Sequence, residues 1–388
     1  MHVRFTHCID SEPCVVSVTQ HRCSHPRSSA EARPQLGCGL EKLLNTRARV
    51  PRPQDPVITV GEDSDGRPLC APADSRAAQA ALLRDLQASG KINCERILPP
   101  VQVDSNCWFN TMFMAIFVSD KGRKFFRFFR QLMIEGKHAD GRPIVPKLRY
   151  AFLLLNACAS AALGGSMGTY VPESTRTLAL DTNAVLQRIY NAIPKRGRTP
   201  WVRKKGEAGN PWQYYASIMH YLGDKRVRHL AVSHPPTVAA LLRGSDSPAP
   251  LISPSWRVHG KEAGMYYVQP TESTWSPPPD VIVLDIDAWA PTQRKSARIK
   301  VAGHQYELDS AVVRDNTGNH FCIMLTCGGK EMAFDGAAFT RLRAVKWKGW
   351  LNKDRNWSFE GSTRHVGSPE LFKWNFRKGY QMLFYYRV

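Results

Sequence analysis

The chain has 388 residues, 43% of them hydrophobic and 10% aromatic, a globular composition long enough for two or three domains. Lys plus Arg number 53 against 33 Asp plus Glu, and the resulting net charge of +20 draws nucleic acid, anionic membrane or acidic protein without choosing among them. A membrane span is excluded: no apolar run reaches about 18 residues, and the most apolar segment, Tyr150 to Leu163, is shorter and carries Asn156 and Ser160. Met1 to His7 leads into polar sequence rather than the apolar core of a secretory signal, so an intracellular, soluble protein with reduced thiols is expected.

Residues 1–75 are rich in Arg, Ser, Pro and Gly and lack apolar periodicity, which predicts a basic, mostly disordered extension ahead of one domain at 76–388. Cys8, Cys14, Cys23, Cys38 and Cys70 fall in that extension, but their spacings follow no ligand pattern, and neither a metal nor another cofactor is expected. From Asp74 to Gly90 the chain favours a helix, capped by Asp74 or Ser75 and stopped by Gly90.

The helical part is expected at about 95–225. At Gln102-Val-Asp-Ser-Asn-Cys-Trp-Phe a polar loop gives way to Trp108, Phe109, Met112, Phe113, Ile116 and Phe117, the spacing of a buried helix with Cys107 at its N-terminus. Unpaired N–H groups and the helix dipole at that end favour an anion, so the thiol is placed to serve as a thiolate nucleophile. The plain alternative is a small buried hydrophobe. Next comes a helix from Lys121 to Glu135, capped by Ser119 or Asp120 and ended by Gly136, with Arg123, Arg127 and Arg130 on a solvated face. Helices follow at about 148–163 and 181–193, the second capped by Asp181, with a glycine-rich loop at 164–168 that lacks a phosphate-loop ending. Asn210 caps a helix with Pro211 at its first position, running to Leu222 and stopping at Gly223.

Residues 225–280 read as loops and short strands, and the β-rich part is expected at about 280–388, beginning with Val281, Ile282, Val283 and Leu284. Asn319-His-Phe-Cys-Ile-Met-Leu predicts a strand opening at a histidine, followed by a Cys-Gly-Gly-Lys turn at 327–330 and a short strand ending in Phe334-Asp-Gly. Such a hairpin can bring Asp335 beside His320. The imidazole would deprotonate Cys107 and the carboxylate would orient the ring, with Asn352 or Asp354 as alternative orienting groups. Taken singly, His320 is equally a structural histidine and Asp335 a turn residue. Lys346-Trp-Lys-Gly-Trp and Trp357 form a basic aromatic stretch whose rings could stack on bases or line a substrate cleft.

The order of these boxes resembles the ubiquitin-specific protease type of deubiquitinase, a branch of the papain-like cysteine peptidases. Asn-Cys-Trp-Phe-Asn-Thr at 106–111 is similar to that family's cysteine box, and His320-Phe321 with Phe334-Asp335-Gly336 to its histidine box. Pro277 to Leu284, Tyr306 to Leu308 with Ala311 to Val313, and Tyr380 to Tyr386 extend the likeness as core strands. The compact boxes and divergent middle are similar to versions from large DNA viruses, for which host cytoplasm or virion would be the place of action. The resemblance implies an α+β papain-like fold, a helical lobe carrying the cysteine helix and an antiparallel β-rich lobe carrying His320 and Asp335. It also implies hydrolysis after the terminal Gly-Gly of ubiquitin, or of a ubiquitin-like modifier, on conjugates.

Gln102 stands where the family's oxyanion donor, usually asparagine, is found, and Trp108 and Asn319 are the expected substrate contacts. Asn319 replaces the usual glycine and Phe321 the usual tyrosine, and the paired Cys-x-x-Cys motifs of zinc-bearing members are missing between the boxes. Asp104-Ser-Asn-Cys107 also resembles an ovarian-tumour-type deubiquitinase, although His320 lies far from Cys107 for that compact fold. A different class stays open beside these: a basic nucleic-acid-binding or virion structural protein on a peptidase-like fold.

Overall fold

The computed structural model describes residues 35–36, 57–65, 68–72, 74–88, 92–102, 105–164, 180–194, 201–232, 235–242, 278–286, 294–318, 320–338, 341–363 and 370–388. The described chain is a mixed α+β structure in which helices dominate before residue 225 and strands after it. Part of the expected N-terminal extension differs from its prediction: β1 (Gln35–Leu36), β2 (Val57–Glu62) and β3 (Pro68–Pro72) form an antiparallel sheet in the order β1-β3-β2. The hairpin is held from outside its own sequence, by contact with α1 (Arg76–Gln87), whose Arg84 Nη2 donates to the Val60 carbonyl at 2.8 Å. Helix α1 is capped by Ser75, which accepts from the Ala78 N–H at 3.1 Å.

Two further short strands, β4 (Pro100–Val101) and β5 (Leu180–Asp181), pair in parallel just ahead of the cysteine helix. Asp181 is therefore a strand residue, and the helix that follows has Thr182 at its N-cap instead. The cysteine helix α2 (Cys107–Phe117) buries all eleven of its residues, the condition of a helix that is apolar all round and sits in the middle of a core. The predicted helix after it divides into α3 (Asp120–Phe125) and α4 (Arg127–Glu135), with Phe126 serving as the last cap of one and the first of the other. The corner from α2 is tight. Ser119 Oγ donates to the Ala115 carbonyl at 2.7 Å and accepts from the Gly122 N–H at 3.1 Å, and a Cβ at Gly122 would stand 1.8 Å from the Ala115 oxygen. Arg130 does not share the solvated face expected of it: it is buried, with Nε donating to Asn156 Oδ1 at 3.0 Å. Helices α5 (Pro146–Gly164), α6 (Asn183–Ala192) and α7 (Pro211–Leu222) complete this half. Asn210 caps α7 by accepting from the Gln213 N–H at 3.0 Å, Gly223 ends it with a φ of 70°, and its Tyr214 and Tyr215 pack on Phe109 of α2.

After β6 (His229–Val232) and α8 (Pro235–Leu242), the described chain continues with β7 (Val281–Ile286), β8 (Arg298–Val301), β9 (His304–Arg314), β10 (Phe321–Cys327), β11 (Lys330–Phe334), β12 (Arg343–Ala344) and β13 (Gln381–Arg387). Their sheet runs β12-β11-β10-β9-β13-β7-β6, with β8 on β9 and only β6 and β7 parallel. Alternation along each strand serves two cores. On β13, Met382, Phe384 and Tyr386 face the helices, whereas Leu383 and Tyr385 face a second layer built from Trp347, Trp357, Phe359, Trp374 and Phe376. Trp347 and Trp357 are thereby buried in a core, which removes the stacking surface the sequence suggested for them.

The expectation of reduced thiols also changes. Cys94 and Cys327 form a disulfide across 233 residues, tying the approach to α2 to the tip of the β10–β11 hairpin. Asp120 clasps the same tip, its carboxylate accepting from the Gly328 and Gly329 N–H groups at 2.9 Å each. No helix among the described residues is long and apolar enough to cross a membrane.

Candidate active site

Cys107 opens α2 and is 7% exposed. Asn106 stands at the N-cap but forms no side-chain bond to the first turn. Its Nδ2 instead donates to Thr182 Oγ1 at 3.2 Å, and that hydroxyl donates to Asn110 Oδ1 at 2.5 Å. The buried link explains why a good capping residue leaves the helix end uncapped: the amide is spent on bracing the helix against the β5–α6 junction. The thiol thus stands at the positive end of the helix dipole.

His320 is set by the turn between β9 and β10. Asp315 Oδ1 accepts its backbone N–H at 2.7 Å, the Asp315 N–H donates to the His320 carbonyl at 2.7 Å, and Oδ2 accepts from both the N–H and the hydroxyl of Thr317. A carboxylate that holds three donors of one turn fixes where the following side chain emerges. The imidazole is 1% exposed, and its Nε2 lies 2.5 Å from Oδ1 of the fully buried Asp335, at the end of the adjacent strand. Burial by itself would lower the proton affinity of this ring. The charge and hydrogen bond of Asp335, with a smaller share from Cys107, reverse that effect and raise its pKa to about 10. Asp335 occupies Nε2, whereas Nδ1 is buried without a regular hydrogen bond, and Cys107 lies close enough to the ring to raise its proton affinity. Rings of Phe372 and Trp374 cover the imidazole with centroids at 4.4 and 5.6 Å, keeping water from the pair.

Asp335 is itself held on both oxygens. Oδ1 also accepts from the Ala337 N–H at 3.2 Å, and Oδ2 accepts from the hydroxyl of buried Ser362. The alternative orienting groups are engaged elsewhere: Asn352 makes two 2.7 Å bonds to the Lys295 backbone, and Asp354 pairs with Lys378 at 2.9 Å and Asn375 at 2.7 Å. Gln102 is half-buried, and its N–H donates to the Gly336 carbonyl at 3.2 Å. A Cβ on Gly336 would stand 3.2 Å from both the nitrogen and Cβ of Gln102, so the glycine after Asp335 lets the two boxes approach.

One expected substrate contact comes out differently. Trp108 is a core residue, its indole N–H donating to the Glu207 carbonyl at 3.0 Å and its ring packed on Tyr214, and it offers no surface to a substrate. Asn319 lies outside the described residues. Sequence reasoning passed over Asp315 and Ser362. The Asp-Asn-Thr-Gly run at 315–318 was a turn signal that could have indicated the first, whereas nothing around Ser362 marked it. No cluster of metal-ligating side chains occurs among the described residues.

No family model matches the chain, and no curated protein matches it. Among solved structures it is similar to a chain of the SAGA Ubp8/Sgf11/Sus1/Sgf73 DUB module, at 11% identity and a TM-score of 0.34 over 80% of this chain and 73% of that one. A substituted form of the same module gives 10% identity and a TM-score of 0.34 over 80% of this chain and 74% of the other. Overlap at this level establishes no shared fold, and the viral likeness finds no support in it.

Proposed function

We propose that this chain is a thiol-dependent ubiquitinyl hydrolase of papain-like layout, cleaving the bond after the C-terminal glycine of ubiquitin or a ubiquitin-like modifier. One observation carries the reading: a cysteine at a helix N-terminus stands beside a buried histidine whose Nε2 is 2.5 Å from a buried aspartate. The choice of ubiquitin rests on the likeness of the boxes around Cys107 and His320 to those of ubiquitin-specific proteases.

In the mechanism, the Cys107 thiolate attacks the carbonyl carbon and forms an S–C bond, and the charge moves to the carbonyl oxygen. Gln102 and the backbone N–H of Cys107 are the proposed donors to that oxyanion, a contribution of about 3–4 kcal/mol per donor in comparable sites. The intermediate collapses as the C–N bond breaks, and imidazolium His320 gives its proton to the leaving amine. Water then attacks the thioester while neutral His320 takes up its proton. The modifier leaves as a carboxylic acid that gives its proton to solvent, and the thiolate–imidazolium pair is restored as the C–S bond breaks. Asp335 holds the ring in the orientation both transfers need.

The test is incubation of the full chain with ubiquitin bearing a thiol-reactive C-terminus, followed by peptide mapping. A single adduct on Cys107 supports nucleophile, cleft and modifier together. An adduct only with a ubiquitin-like probe keeps the chemistry and changes the modifier. Failure with every probe in folded protein overturns the reading.

A further inference from the structure

We infer that Ser362 is a positioning residue for this site, extending the relay to Cys107, His320, Asp335 and Ser362; the inference rests on the hydrolase reading above. A carboxylate held on one oxygen alone can still swing about the bond that carries it. The histidine and the Ala337 N–H both engage Oδ1 of Asp335, and among the described residues the Ser362 hydroxyl is the sole hydrogen-bond donor to Oδ2. The hydroxyl thus fixes the plane of the carboxylate, and through it the plane of the imidazole.

Ser362 is well built for the task. It is fully buried, its N–H donates to the Phe359 carbonyl at 3.1 Å, and its carbonyl accepts from the Phe372 N–H at 3.0 Å. That second bond joins it to the residue whose ring lies 4.4 Å from His320. One segment therefore delivers both the donor to Asp335 and the apolar cover of the imidazole. A buried charged oxygen left without its donor is costly, and hydrogen bonds to charged groups are worth enough to move a rate by about tenfold or more.

The experiment compares Ser362→Thr with Ser362→Val in the full chain, since the two side chains share a shape and differ in the hydroxyl. Hydrolysis of a fluorogenic C-terminal amide of ubiquitin gives kcat, KM and the pH profile. Alkylation of Cys107 by iodoacetamide, mapped by mass spectrometry and followed against pH, reads the thiol–imidazole pair without any ubiquitin. Ser362→Thr should retain at least about half of kcat. Ser362→Val should lose about tenfold in kcat with KM unchanged, and the alkaline limb of its profile should move towards neutrality, in step with the alkylation profile. Equal kcat and equal limbs in the two variants overturn the inference. Should both fail to fold, Ser362→Ala adds no bulk and takes their place, and a wild-type alkaline limb in it overturns the inference equally. If the wild-type chain cleaves no ubiquitin substrate, the hydrolase reading falls by itself, and the alkylation profile alone decides the role of Ser362.

Discussion

Replacing Cys94 and Cys327 by alanine together should cost the fold several kcal/mol and reach the site as well. The bond closes a loop over a sequence separation of 233 residues, for which loop-closure entropy gives about 5 kcal/mol, while native disulfides commonly return about 2–4. Domain stabilities are about 5–15 kcal/mol, so the variant is expected to fold with a clearly lower denaturant midpoint rather than to unfold. Asp120 should keep the hairpin tip in place through Gly328 and Gly329, which limits the damage to local loosening. The loosened elements are the segment leading to Gln102 and the hairpin whose two strands adjoin His320 and Asp335, so kcat should fall further than the fraction unfolded explains. The assay is urea unfolding followed by fluorescence, beside hydrolysis of the ubiquitin amide in the same buffers. The alanine pair is preferable to adding reductant, because Cys107 must be kept reduced in every sample and both half-cystines are buried. A midpoint and kcat equal to wild type would refute the reasoning.

Within the site, Cys107→Ala and His320→Ala should each abolish turnover, and Asp335→Ala should leave a residue about 10²-fold or more below wild type, all read by the fluorogenic amide. A fully active His320→Ala sinks the triad. Trp347→Ala should lower stability by about 3–5 kcal/mol while leaving any salt-dependent affinity for nucleic acid unchanged, because its ring is core and its N–H donates to the Leu325 carbonyl at 3.3 Å. Lost affinity at unchanged stability would point to stacking instead. Burial first, then the charge of Arg377, lowers the pKa of Lys295 from 10.5 to about 7. The unfolded chain therefore holds the extra proton between about 7 and 10.5, and wild-type stability should rise across that window relative to Lys295→Met; parallel stability curves would contradict this. His320 acts in the opposite sense. Its folded pKa of about 10 exceeds the ordinary 6.5, so its contribution is full below 6.5 and is lost as pH rises through about 10, a trend that Lys295→Met should lay bare in thermal melts.

Much of the helical half was legible because its signals are local. Ser119, Asn210 and Gly223 announce helix ends through chemistry that acts within four residues, and the caps stand where that chemistry puts them. Cys107 could be placed at a helix start for the same reason, since the switch from polar to apolar sequence occurs at that residue. His320 and Asp335 come together because they flank a single hairpin, with Ile323 opposite Phe334 in its register. What stayed hidden depends on distant partners. Arg130 lies on a charged stripe by spacing, yet it is buried against Asn156 of α5 while Arg127 of the same stripe is exposed. The Cys94–Cys327 pairing, the packing of β2 on α1 and the hold of Ser362 on Asp335 have no mark in the residues beside them.

The sheet order explains why the site could be guessed and its supports could not. The hairpin that carries His320 and Asp335 is local, but β9, its neighbour, is flanked on the other side by β13, so the last strand sits in the middle of the sheet between β9 and β7. Residues 345–363 and 370–380, which come between β12 and that strand, must therefore cross one face of the sheet, and there they help to build the second core. Ser362, Phe372 and Trp374 all lie on this crossing, and all three meet the His320–Asp335 pair. The stretch that looked like a basic aromatic loop is better understood as part of the second core behind the sheet. Its tryptophans fill the space the crossing creates, and Ser362, just beyond it, reaches the carboxylate of Asp335.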